Sequence, residues 1–158
     1  MNVVIRPAPL KRHIVVNVGQ ARAFEVFTAR MERWWPASHS IGATRQVDVV
    51  IEPRVGGRWY ERGEDGQECL WGEVLAWEPP DRVVLAWRLN AHWTFDPTLT
   101  TEVEVRFLAQ GEQATRVQLE HRHLERFGEG ADAVRGALDG EGGWPGMLRL
   151  FAGFAQKP

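Results

Sequence analysis

The sequence predicts an α+β fold in which a curved antiparallel sheet of six to seven strands is closed by a C-terminal helix. Three observations predict it. Apolar residues recur at three- and four-residue spacing over positions 20–35 and again from Trp144 onward. The chain between them reads as strands alternating with period two, and turn residues separate those strands at hairpin distances.

The elements follow in order. Residues 10–18 are rich in β-branched side chains and make a first strand ending at Gly19. Over 20–35, Phe24, Phe27, Met31 and Trp34 fall on one helical face, and Pro36 ends the helix. Residues 47–52, 58–62, 68–77, 83–89, 101–108 and 115–123 are the next six strands. Between them lie the turn signals Pro53 with Gly56-Gly57, Asp65-Gly66, Pro79-Pro80-Asp81 and Gly111-Glu112. The connection 90–99 is long and carries His92, Trp93 and Phe95, large residues that suit either a lid or a packed Ω-loop. A short helix over 131–138 precedes a last one, whose apolar face is Trp144, Met147, Leu148, Phe151 and Phe154, with Pro145 in its first turn. A helix laid across a twisted sheet leaves part of the concavity unfilled, so a pocket between the two is expected.

A chain of 158 residues fits one domain, 1–158, with an ordinary globular balance of 44% apolar and 25% charged residues. The net charge of −2, with both signs interspersed, offers no basic stripe, so no nucleic-acid partner is expected. No apolar run is long enough for a membrane helix and the N-terminus lacks signal-peptide order, so a cytoplasmic protein is expected. The lone Cys69 reads as a packed thiol. Eight tryptophans against one tyrosine are the compositional oddity, for indole joins a large apolar surface to an N–H that needs a partner.

The stretches Pro53-Arg54-Val55-Gly56-Gly57-Arg58-Trp59, Trp71-Gly72-Glu73-Val74 and Glu78-Pro79-Pro80-Asp81-Arg82-Val83 resemble the SRPBCC or START-like superfamily. More narrowly, they resemble its branch named after activators of the heat-shock protein 90 ATPase. The strand Thr101-Glu102-Val103-Glu104-Val105-Arg106-Phe107, the strand start Thr115-Arg116-Val117 and the helix entry Gly142-Gly143-Trp144 are similar to that branch too. The resemblance implies a helix-grip fold whose pocket, in different relatives, holds lipids, hormones, polyketides or other apolar molecules. The eukaryotic activators carry a further chaperone-binding domain that this sequence does not show, so a chaperone partner is not expected.

The chemistry-bearing residues sort as follows. Gly56-Gly57 lacks the lysine and following helix of a phosphate loop and reads as a turn. Ser38 and Ser40, with His39 between them, lack the sharp strand-to-helix turn of a serine hydrolase. Glu73, Glu102, Glu104 and Glu120 alternate onto the wet face as cross-strand partners. His121 and His123 are spaced to share a metal, but no third ligand is evident, so no metal and no cofactor are expected. His121 falls in register with Val117 and Leu119 and points inward, where it meets either a structural partner or a ligand; Arg88, His92 and Asp96 are further candidates for orienting one. No catalytic residue is assigned. Trp34 and Trp35 either pack or form the pocket's mouth.

The expected ligand-binding set is therefore Trp59, Trp71, Trp87, Trp93, His121, Trp144, Leu148 and Phe151. The expected function is non-catalytic binding of a small, largely apolar or aromatic molecule, with the option of a homodimer open. One alternative is a cyclase, dehydratase or hydrolase using the same pocket, with His121 or Asp96 as proton carrier. The other is a co-chaperone-like interaction module, which would show a large exposed apolar patch and no cavity.

Overall fold

A computed structural model describes residues 7–158; residues 1–6, on which the leader reading partly rests, lie outside them. Seven strands form one antiparallel sheet: β1 Leu10–Val16, β2 Gln46–Ile51, β3 Arg58–Gly63, β4 Glu68–Glu78, β5 Arg82–Trp87, β6 Thr101–Ala109 and β7 Thr115–Arg122. The order β1-β7-β6-β5-β4-β3-β2 is a meander closed by β1 against its last strand, and the sheet curls into a half-barrel. Three helices accompany it: α1 Gln20–Ala29, α2 Ala131–Leu138 and α3 Trp144–Ala155. This is the helix-grip α+β arrangement that the sequence pattern and the resemblance both lead to.

Alternation builds the sheet. Thr115, Val117, Leu119 and His121 are buried along β7 while the residues between them are half exposed. They pack, with Val103, Val105 and Phe107 of β6, toward Phe24 and Phe27 of α1 and the apolar face of α3. Phe27 is the hinge of this core: its ring meets Phe107 at 5.9 Å, Phe151 at 5.5 Å and Trp34 at 5.1 Å.

Two departures from the sequence reading position the site. The helix predicted over 20–35 ends at Ala29, and a 3-10 turn over Met31–Arg33 follows. The break lets Trp34 donate its indole N–H to the Val26 carbonyl (3.0 Å), while Trp35 turns away to donate to the His39 carbonyl (3.0 Å). The two neighbouring indoles thus find separate acceptors. Second, β7 stops at Arg122, and His123 takes a left-handed backbone with φ 65°. It leaves the strand face it was expected to share with His121 and lies near Glu102 and Glu125.

Candidate ligand pocket

Trp59, on β3, sits opposite Gly72 of β4, which sits opposite Trp87 of β5. Register shifts next to Trp59, so Trp71 is bulged out of the regular pairing and, beside Gly72, is also buried. A Cβ at Gly72 would lie 1.7 Å from the Ala86 carbonyl oxygen, so only glycine fits between the two tryptophan strands. With no side chain there, Trp59 and Trp87 close to 5.7 Å across the gap, and Trp59 also meets Trp71 at 5.4 Å.

In front of this buttress lies a cavity of about 400 Å³. Trp35, Trp71, Trp87 and Trp93 form its aromatic walls, with Leu89, Leu138 and Met147 between them, and Ser38, His39 and Ser40 make one polar side. Trp93 comes from the 90–99 connection, which is ordered by Asn90: its side-chain oxygen accepts from the His92 and Thr94 amides at 2.9 and 3.1 Å. This turn holds Trp93 at φ 59°, an unfavourable angle for a bulky residue, and leaves it 44% exposed at the mouth, 6.4 Å from Trp87.

A carboxylate supports the polar side from behind. Glu61 is 1% exposed and accepts from Ser40 Oγ (2.5 Å), the Ile41 amide (2.7 Å) and Trp71 Nε1 (3.0 Å). It thereby ties the loop after the first helix to a pocket indole. Sequence reasoning did not single it out, although it shares its strand parity with Trp59, and an acidic residue in register with an inward tryptophan was the available signal. His39 was set aside with the hydrolase reading, yet it is the titratable side chain in the cavity wall.

Of the expected ligand set, Trp71, Trp87 and Trp93 meet at the cavity, while Trp59, His121, Trp144, Leu148 and Phe151 lie outside its lining. The last five are fully packed instead. Trp144 Nε1 donates to His121 Nδ1 (3.1 Å), so the His121 proton resides on Nε2, which donates to Thr101 Oγ1 (2.8 Å), which donates in turn to the Trp87 carbonyl (3.3 Å). Burial pushes the His121 pKa down to about 3. A neutral imidazole with both nitrogens satisfied is a core strut and carries no proton to a ligand. Asp96 likewise lies outside the cavity lining and caps its own loop, where hydrogen bonds from the Thr98 hydroxyl and amide hold its carboxyl below the usual range. Arg88 and His92 do not line the cavity either; Arg88 pairs with Glu73 at 2.6 Å.

A curled sheet that grips its terminal helix and leaves a cavity at the N-terminal end of that helix defines a helix-grip domain of the SRPBCC type. The chain belongs to the family described as activator of Hsp90 ATPase homolog 1-like protein, whose model matches residues 17–156. Among solved structures it is similar to an anthrahydroquino-γ-pyrone synthase, Txn09, solved in complex with SUM. Identity is 40%, over 92% of this chain and 95% of that one, with a TM-score of 0.66. It is also similar to CalC, a self-sacrificing resistance protein from Micromonospora echinospora, at 32% identity over 93% of both chains and a TM-score of 0.70. A protein from Nitrosomonas europaea, 14% identical over 93% of both chains with a TM-score of 0.67, shares the fold. No curated protein matches the chain.

Proposed function

We propose that this protein binds a small, planar, largely apolar fused-ring aromatic molecule in the tryptophan-walled pocket. The observation that carries the reading is the convergence of four indoles from four separate parts of the chain on one cavity of about 400 Å³. That volume lies within the roughly 300–1,000 Å³ of ordinary small-ligand sites. Flat walls favour flat ligands, since aromatic contacts add about 0.5–1.5 kcal/mol each beyond area burial. The interaction-module reading called for a surface patch without a cavity, so the pocket weighs against it.

A second reading is that the bound molecule is also transformed, by ring closure or dehydration. It is favoured by the 40% identity to a pyrone synthase over 92% of the chain and by the hydroxyls and imidazole of Ser38, His39 and Ser40 along one wall.

Tryptophan fluorescence titrations with anthraquinone and with palmitate test the binding reading. Anthraquinone should quench at micromolar concentration and palmitate much less; equal response to both, or none to either, contradicts a flat aromatic site. Chromatography of an incubated fused-ring phenol carrying a β-diketone side chain then separates the two readings, since a binder returns it unchanged.

A further inference from the structure

We propose that the Ser38–His39 pair is a proton-accepting site, so that the pocket selects fused-ring aromatics bearing an acidic ring hydroxyl and holds them as phenolates. The inference rests on the pocket reading above and names its ligand class more narrowly.

Among the described residues, His39 is the one titratable side chain in the lining; the rest of the wall is apolar, glycine or hydroxyl. Its tautomer follows from its partners. Nε2 lies 2.6 Å from the Gly142 carbonyl, which only accepts, so Nε2 carries the hydrogen and Nδ1 keeps its lone pair. Ser38 Oγ, 3.1 Å from Nδ1, therefore donates to it. The serine oxygen retains its lone pairs for a donor from the cavity. A phenolic O–H is such a donor, and an apolar ring system stacked on the indoles brings one within reach of that wall.

The transfer balances without any further reagent. The phenol O–H bond breaks and its proton passes to Ser38 Oγ, while the serine proton forms a new bond to Nδ1. Phenolate and imidazolium result, with the serine regenerated. The imidazolium keeps its Nε2–H on the Gly142 carbonyl, and the new opposite charges lie side by side on the polar side of the cavity, where a charge-assisted hydrogen bond through Ser38 joins them.

The pair is held ready. The His39 carbonyl accepts from Trp35 Nε1 at 3.0 Å and Gln46 Nε2 at 3.1 Å, its amide donates to Pro36 at 2.9 Å, and its ring stands perpendicular to Trp35 at 6.4 Å. The charged groups nearby are already engaged. Glu61, behind Ser40, takes three donors, and Glu141, on the outer side of His39, pairs with Arg149.

The test compares 2-hydroxyanthraquinone with anthraquinone, by fluorescence for affinity and by visible absorbance for ionisation, at a pH below the free phenol's own titration. The red-shifted phenolate band should appear on binding to the wild type, with the hydroxy compound bound about tenfold tighter than its parent. In His39→Gln, whose amide can still donate to Gly142, the band should vanish and the affinity ratio should fall toward one. Ser38→Ala, a change at an exposed side chain, should weaken the band and serves if His39→Gln does not fold. A hydroxy compound that binds with its neutral spectrum, or a band that survives in His39→Gln, overturns the inference and leaves the pocket reading standing. Failure of both compounds to bind overturns the pocket reading and this inference with it.

Discussion

His121 shows how a functional-looking residue can be wholly structural. Its inward register was legible from the alternation of β7, but its partners were not, because Trp144 is 23 residues away and Thr101 is 20. The burial that neutralises it has a consequence for pH. In the unfolded chain the imidazole protonates as pH falls through its ordinary value of 6.5, whereas in the folded chain it stays neutral to about 3. The unfolded state therefore binds more protons between those values, and stability is fully present above 6.5 and declines below it. At about 1.4 kcal/mol per unit, lowering the pH from 7 to 5 should cost about 2 kcal/mol from this group. Urea midpoints at both pH values measure the loss, and an NMR titration should find the His121 ring neutral at pH 5; an unchanged midpoint would contradict the sealed imidazole.

At the scale of elements, strand positions were legible to within a residue or two, because the period of two and the Gly and Pro turn signals are local. The breaks were not. The end of α1 at Ala29 goes with indole N–H bonds from Trp34 back to Val26 and from Trp35 on to His39, which no apolar periodicity encodes, and the bulge at Trp71 goes with the close approach of Gly72 to β5. The expectation that α3 roofs the pocket also missed its extent. Trp144, Leu148 and Phe151 face the core, and only Met147 of that helix reaches the cavity wall. Trp144→Ala should therefore behave as a core truncation and cost about 3–5 kcal/mol, including the donor lost to His121. Trp93→Ala, at the 44% exposed mouth, should cost less than about 1 kcal/mol of stability while weakening aromatic ligands. Denaturation midpoints and ligand titrations on both variants check this; similar stability losses would mean that the 90–99 connection is core and not a lid.

For the molecule as a whole, no helix among the described residues is long and apolar enough to cross a membrane. The acidic residues read as cross-strand partners do bind the sheet's outer face together. Glu102 and Glu104 on β6 reach Arg122 on β7, and Glu104 also pairs with Arg82 on β5. Burial pushes the Glu104 carboxyl up, but hydrogen bonds from Arg82 and Arg122 outweigh it and hold it below its usual value. With the outer face tied by charge and the inner face packed by α1 and α3, the unfilled part of the concavity is displaced to the junction of the 36–42 loop, the 90–99 connection and α2. A pocket was legible from the architecture; its place was not, since it depends on which tryptophans find their partners within the core. The eight indole N–H groups give the most direct test, because each yields its own signal in a proton–nitrogen correlation spectrum. Titration with anthraquinone should shift the signals of Trp35, Trp71, Trp87 and Trp93 and leave those of Trp34, Trp77 and Trp144 nearly in place. Shifts confined to the second group, or none at all, would contradict an aromatic-binding pocket at this site.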